Sequence, residues 1–391
     1  MKKVLSLITI LSFVLSFTLI NTAQAEKPKS WQPELLVGLF ISNTPVKLKT
    51  NLSAVLINSA NNHNIKVINK NTEIVISNVG NRIHVNGHSI NCSEMEFRPR
   101  NEKELKDMQT QINGKMYRGG VKVIATSSGL SIINIVAVEE YLRGVVPGEM
   151  SPSYHEEALK VQAVAARTFA LVNRKRHKDS GYDLCNTTHC QVYNGVEAEH
   201  RITNKIIDET FGEVLFYNNK LIQALFHTDS GGMTENVIDV WGVDYPYLRA
   251  VSEIEKETGA WTLRIPINDF SSKLAAAKHN VGTVKSIKIT PLKIGKSTAD
   301  RTASGRVKEI NIQGTKGQTK ITGTEMRSIF SLRSTLFEIK ISGSEVIING
   351  YGWGHGVGMS QNGAQNLAKH NYTYDKILSH YYKGTTLKRL Y

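Results

Sequence analysis

The segment from Ser153 to Asn173 constrains most strongly what this chain can fold into. It carries Ala158, Ala163, Ala165, Ala166 and Ala170 among Leu159, Val161, Val164, Phe169 and Leu171. Alanine favours helix, and the apolar residues recur at helical spacing. With so little side chain on it, such a helix lets neighbouring backbone approach closely, so it is expected at the centre of the fold and mostly buried. Ser153 followed by Glu156 predicts a capping box at its start. The apolar run Ile132–Val138 predicts a strand leading in, and Pro147-Gly148 predicts a break in regular structure between the two. Glu149 falls on that break, at the mouth of the helix. A carboxylate there suits acid chemistry. It equally suits the positive end of a helix dipole, and this segment by itself leaves both readings open.

Compartment and charge narrow the function. Met1-Lys2-Lys3, an apolar run from Val4 to Ile20, and Ala23-Gln24-Ala25 have the form of an export signal over residues 1–25, cleaved after Ala25. The apolar run is also long enough for an uncleaved anchor. Either way the working part is expected outside the cytoplasmic membrane. The formal net charge is +14. For an exported chain this argues against nucleic acid and for anionic partners at the cell surface, the wall and the outer membrane face. The three cysteines, Cys92, Cys185 and Cys190, are too few for a disulfide framework.

Residues 26–130 show short alternating runs broken by turn residues, among them Leu35–Phe40, Ile65–Ile68, Glu73–Ile76 and Val121–Ile124. Asn86-Gly87 and Asn113-Gly114 predict hairpin turns. Helical stretches are expected near Asn204–Thr210, Phe270–Lys278, Ala364–Lys369 and Asp375–Tyr382, whereas residues 254–305 carry little pattern. The fold class that follows is α+β: mixed β-sheets around the central alanine-rich helix, with a β-rich N-terminal region (26–130) and a second region (131–391) that carries that helix.

Two further constellations carry chemistry. Cys185, His189 and Cys190 lie within six residues and supply the thiols and imidazole that zinc prefers. In an oxidising compartment the same two cysteines suit a local disulfide. A fourth ligand is missing from this string; His177 is the candidate, with Asp179 and Asp183 behind it. The second constellation is the glycine ladder Gly350, Gly352, Gly354, Gly356 and Gly358, from which Trp353 and His355 project. An aromatic face beside backbone amides, Ser360 and Gln361 suits a sugar; a tight bulge packed on itself is the structural alternative.

Taken together, these strings resemble the stage II sporulation protein D and amidase-enhancer family. The resemblance runs through Tyr141–Met150, Glu157–Phe169, Ser230–Glu235, Val240–Arg249, Gly352–Ala364 and His380–Gly384. It implies a peptidoglycan lytic transglycosylase acting on glycan strands stripped of stem peptides, with Glu149 as general acid and base. It also implies that the cysteine loop is a zinc site closed by His177, Cys185, His189 and Cys190, structural rather than catalytic. Arg167, Glu235, Trp353, His355, Ser360 and Gln361 are then the expected substrate contacts. Glu139, Glu140 and Glu235 are the rival acids, and Val145, Val146 and Met150 are the expected apolar surroundings of Glu149. The implied partners are denuded glycan, a cell-wall amidase and membrane proteins of sporulation, with septal wall remodelling as the implied role. A non-catalytic wall binder that enhances an N-acetylmuramoyl-L-alanine amidase is the other function the family carries.

Overall fold

The computed structural model describes residues 32–391. The export signal expected over residues 1–25 lies outside them. Among the described residues no helix is long and apolar enough to cross a membrane.

The helices are α1 (Val138–Glu149), α2 (Glu156–Val172), α3 (Arg201–Glu209), α4 (Val237–Trp241), α5 (Ile267–Ala276), α6 (Gly323–Phe330), α7 (Gln361–Lys369) and α8 (Tyr374–Tyr381). The alanine-rich helix α2 is the hub. All of its alanines are fully buried, and it touches α1, α3, α7, α8 and the strand Glu213–Tyr217. Small side chains permit this many neighbours, since each approaching element meets almost no Cβ substituent. The expected capping box does not form. The Ser151 and Ser153 hydroxyls bond each other, and the helix starts later, capped by the His155 ring, which accepts from the Glu157 N–H at 3.2 Å.

The predicted break at Pro147-Gly148 is also absent, because α1 continues through both residues to Glu149. Pro147 falls in the last turn, where the loss of one N–H is tolerable, and the Met150 N–H still reaches the Val146 carbonyl at 2.9 Å. Glu149 therefore stands at the negative end of α1. The dipole of α1 itself does not favour a negative charge there.

Two sheets lie beneath the helices. The larger has seven strands in the order Leu184–Cys185, Glu34–Ser42, Gly129–Ala137, Gly120–Thr126, Glu94–Pro99, Ala54–Asn58, His63–Ile68. It is antiparallel except for the pairing of Leu184–Cys185 alongside Val37–Gly38. The second has six strands and contains both predicted hairpins, with positive φ at Asn86 and Gly87 and at Asn113 and Gly114. Their apolar faces and those of α1 to α4, α7 and α8 share one core that runs from Leu35 to Tyr391.

Strand Gly129–Ala137 sits in the middle of the large sheet and leads directly into α1. No separation of cores therefore falls near residue 130. The division lies elsewhere. A second core, from Ile265 to Ile348, is built by two three-stranded sheets with α5 and α6 packed on them. This unit leaves the main body after Val251 and returns at the glycine ladder. The stretch with little readable pattern is thus an inserted folded unit.

Candidate active site and metal centre

Glu149 ends α1 at the edge of a cleft of about 320 Å³. One wall comes from the main core: Glu149, Phe169, Leu225, Phe226, His189, Cys190 and Gln361. The Glu149 carboxylate accepts from the Val192 N–H at 2.8 Å, with the Gln361 amide beside it. Burial pushes its pKa above the ordinary carboxyl range, and the Val192 N–H and the Gln361 amide only partly offset this. The partial negative charge at the C-terminal end of α1 acts in the same direction as burial. A carboxyl so placed keeps its proton into the pH range where an ordinary glutamate has lost it.

The segment that supplies the Val192 N–H is fixed from both sides. Gln191, fully buried, accepts from the Tyr141 hydroxyl at 3.1 Å and donates to the Ala166 carbonyl at 3.3 Å. The Tyr193 ring lies 2.7 Å from where a Cβ on Gly144 would be, so only glycine lets this segment run so close along α1. Just upstream, His177, Cys185, His189 and Cys190 converge, with ligand atoms all within 4.8 Å of one another. His177 Nε2 lies 3.3 Å from Cys190 Sγ, and His189 Nδ1 lies 3.6 Å from both thiol sulfurs.

Those spacings are close to the edge of a tetrahedron around zinc, about 3.6 Å for bonds of the usual Zn–N and Zn–S length. Both cysteines are free thiols rather than a disulfide. The Cys185 thiol is held down to about 7: burial opposes ionisation, but Thr187 and the His189 ring outweigh it. Burial pushes the Cys190 thiol up. The Tyr182 ring stacks on His177 and holds it in place, with centroids 4.9 Å apart. Asp183 is unavailable as a ligand, because its two oxygens accept from the Leu36 and Lys175 N–H groups. The donor set fits a closed four-coordinate zinc site that fixes the loop and leaves no position for activated water.

The opposite wall comes from the glycine ladder and the inserted unit. Gly352, Gly354, Gly356 and Gly358 have φ of 72°, 113°, 84° and 73°. At Gly354 a Cβ would come within 2.7 Å of the His227 Cβ, so the ladder lies flat against its neighbour. Trp353 is pinned by backbone bonds to Asp229 in both directions; the residue is 52% exposed, with the Arg333 guanidinium 4.7 Å over its ring. His355 accepts from the Val357 N–H, and burial together with the Arg327 and Arg306 charges holds its pKa down at about 4. It is a neutral ring at physiological pH. His227 is also held neutral by burial; its Nδ1 donates to the Val357 carbonyl at 3.1 Å, and its Nε2 has no partner. Arg176, Thr188, Thr228, Trp241 and Arg327 complete the lining.

The structure brings Glu149, Trp353, His355 and Gln361 together in one cleft, but not the other expected contacts. Arg167 is fully buried and grips Glu139 with two bonds of 2.7 Å, so it cannot reach a ligand. Glu235 is fully buried too, accepting from the Asn236 N–H at 2.9 Å and the Ser304 hydroxyl at 2.6 Å. Ser360 caps α7 by accepting from the Gly363 N–H. Of the rival acids, Glu140 is tied to Arg118 and Arg143, and neither it nor Glu139 lines the cleft. Val145, Val146 and Met150 belong to the core rather than the cleft, where the apolar lining comes instead from Phe169, Leu225 and Phe226. Sequence reasoning missed His227, Trp241 and Arg327. Trp241 could have been found in the Val240–Arg249 string, whereas nothing around Arg327 signalled a role.

Comparisons with known proteins converge on the same strings. The profile of a family described as stage II sporulation protein matches residues 126–217. A domain of unknown function matches residues 252–358, the stretch holding the second core. The chain is similar to stage II sporulation protein D of Bacillus amyloliquefaciens, 34% identical over 280 residues, which is 67% of this chain and 76% of that protein. An uncharacterized protein of Brachyspira hyodysenteriae is 35% identical over 282 residues, covering 71% of this chain and 73% of that one. The amidase enhancer of Bacillus subtilis is 32% identical over 288 residues, which is 63% of this chain and only 40% of that protein.

Proposed function

The chain belongs to the stage II sporulation protein D family, and from that premise we propose that it is a lytic transglycosylase of peptidoglycan glycan strands stripped of their stem peptides. The observation that carries this reading is the standing of Glu149: among the described residues it is the only carboxylate lining the cleft, and burial pushes its pKa above the ordinary carboxyl value. Hydrolysis of a glycoside ordinarily takes two carboxyl groups. A single carboxyl suffices when the attacking hydroxyl belongs to the substrate. Glu149 donates its proton to the bridging oxygen as the bond from that oxygen to the anomeric carbon breaks. The 6-hydroxyl of the same muramic acid then bonds to that carbon and gives its proton to the Glu149 carboxylate. The acid is regenerated, no water enters, and the product ends in a 1,6-anhydro ring.

The remaining groups bind and orient. Trp353 offers a stacking face to the sugar ring, and the Gln361 amide and the Val192 N–H hold the Glu149 carboxyl in place. A zinc ion on His177, Cys185, His189 and Cys190 would supply rigidity to the loop carrying Val192, and no reaction step passes through it. The reading places the protein outside the cytoplasmic membrane, acting on wall that an amidase has already stripped, during the wall remodelling of sporulation.

The similarity to an amidase enhancer supports a second reading, a non-catalytic binder that stimulates such an amidase. One experiment separates the two. Glu149→Gln should lose cleavage of denuded glycan by about 10²–10⁴-fold while still binding it. Normal cleavage by that variant contradicts the catalytic assignment. Binding without cleavage by the unaltered protein favours the enhancer.

A further inference from the structure

The inserted unit contributes one charged group to the cleft that the mechanism above does not use. Arg327, on α6, is half-buried in the wall facing Glu149. Its Nε donates to the Leu332 carbonyl at 3.2 Å, which fixes the side chain. Among the described residues it forms no ion pair, and Glu325, the one carboxylate on its own helix, is turned away to cap α6 through Thr322. Arg176 is the other arginine lining the cleft, and Glu149, whose burial disfavours the charged form, is the cleft's one carboxyl among the described residues. Arg306 is tied to the Met233 and Ser230 carbonyls, and His227 and His355 are both uncharged. A half-buried guanidinium with no counter-charge is costly, and it stays only where something compensates it. Beside it, the unpartnered Nε2 of His227, a residue only 5% exposed, is an acceptor waiting for a donor.

We propose that Arg327 is the specificity-determining residue of this cleft, binding the lactyl carboxylate of muramic acid while His227 Nε2 accepts from a hydroxyl or amide N–H of the same sugar unit. The inference rests on the glycan reading above and adds how stripped strands are told from intact ones. On an intact strand the lactyl carbonyl is an amide to the stem peptide and carries no charge. Removal of the peptide by an amidase frees a carboxylate at that position. A planar guanidinium then gains two charge-assisted hydrogen bonds that an amide cannot match. The inserted unit thereby gives a cleft with one acid a means of recognising the product of the previous enzyme.

The test is a binding measurement in the Glu149→Gln background, where strands are not consumed. The probes are denuded glycan strands, the same strands with the lactyl carboxylates converted to carboxamides, and chitin oligosaccharides, which lack the lactyl group. The parent should prefer carboxylate over carboxamide strands by about 10- to 100-fold, less at high salt. Arg327→Gln should bind the two equally and no worse than the parent on chitin oligosaccharides, and Arg327→Lys should recover part of the preference. With Glu149 restored, Arg327→Gln should raise KM on denuded strands far more than it lowers kcat. An unchanged preference in Arg327→Gln, or no preference in the parent, overturns the inference. Should the unaltered protein bind carboxylate strands through Arg327 yet fail to cut them, only the catalytic reading falls.

Discussion

The two ends of α1 each carry a glutamate, and the fold treats them in opposite ways. Glu139, in the first turn, is fully buried and fully partnered: Arg167 grips it with two bonds, and the Gly212 N–H and the Tyr391 hydroxyl complete it. Glu149, in the last turn, has one backbone partner, a cleft beside it and the wrong end of the helix dipole. One carboxylate is locked by an ion pair inside the core, and the other, held only by the Val192 N–H and the Gln361 amide, faces a cleft that a substrate can enter. Burial alone does not mark a functional acid. What distinguishes Glu149 is burial together with few partners and access to a cleft.

The contrast can be broken at either end. The largest effect is expected from Arg167→Ala, which leaves Glu139 charged and buried without its partner; chemical unfolding should show a loss of about 3–5 kcal/mol. If that variant keeps its stability and loses glycan binding instead, the expected substrate contact at Arg167 was right and the structural reading of that end fails. At the other end, Cys185→Ser, or removal of metal by a chelator, should loosen the segment that presents the Val192 N–H. Cleavage should fall by about 10- to 100-fold, in step with the metal content of the protein. Full activity from metal-free protein would uncouple the loop from Glu149.

A third carboxylate sharpens the comparison. Glu253 is pushed up to about 7, chiefly by burial, with the Tyr381 hydroxyl opposing, yet it does not line the cleft. Its raised pKa means the native state prefers the neutral form. Stability should therefore decline as pH rises from about 4.5 to about 7, and the cost should persist above that range. Glu253→Gln should gain about 2 kcal/mol at pH 8, gain little at pH 4, and keep normal cleavage. A loss of cleavage in that variant would mean that a raised pKa away from the cleft also matters to the reaction.

The sequence made the centre of the fold legible and its periphery much less so. The alanine-rich helix, both Asn-Gly hairpins, and the convergence of His177 with the cysteine loop were visible because each depends on local chemistry: small side chains, positive φ and ligand type. The continuation of α1 through Pro147 was not visible, since a proline near a helix end is tolerable only if the following turn still closes, as it does through Met150. Arg167 and Glu235 were misplaced because a polar residue inside a distinctive string suggests contact with a ligand. Only their long-range partners, Glu139 for the one and Thr302 and Ser304 for the other, show that both are structural. Arg327 was beyond reach for a related reason: its meaning lies in its forming no ion pair among the described residues, which only the fold shows.

The account turns on one carboxyl acting first as acid and then as base, with the sugar's own hydroxyl as nucleophile. The most direct measurement is the mass of the fragments released from denuded glycan by the unaltered protein. Termini in the 1,6-anhydro form, lighter than the hydrolytic product by one water, are the predicted result. Reducing termini carrying that water would mean that water, and not the sugar's own hydroxyl, attacks the anomeric carbon, and would contradict it.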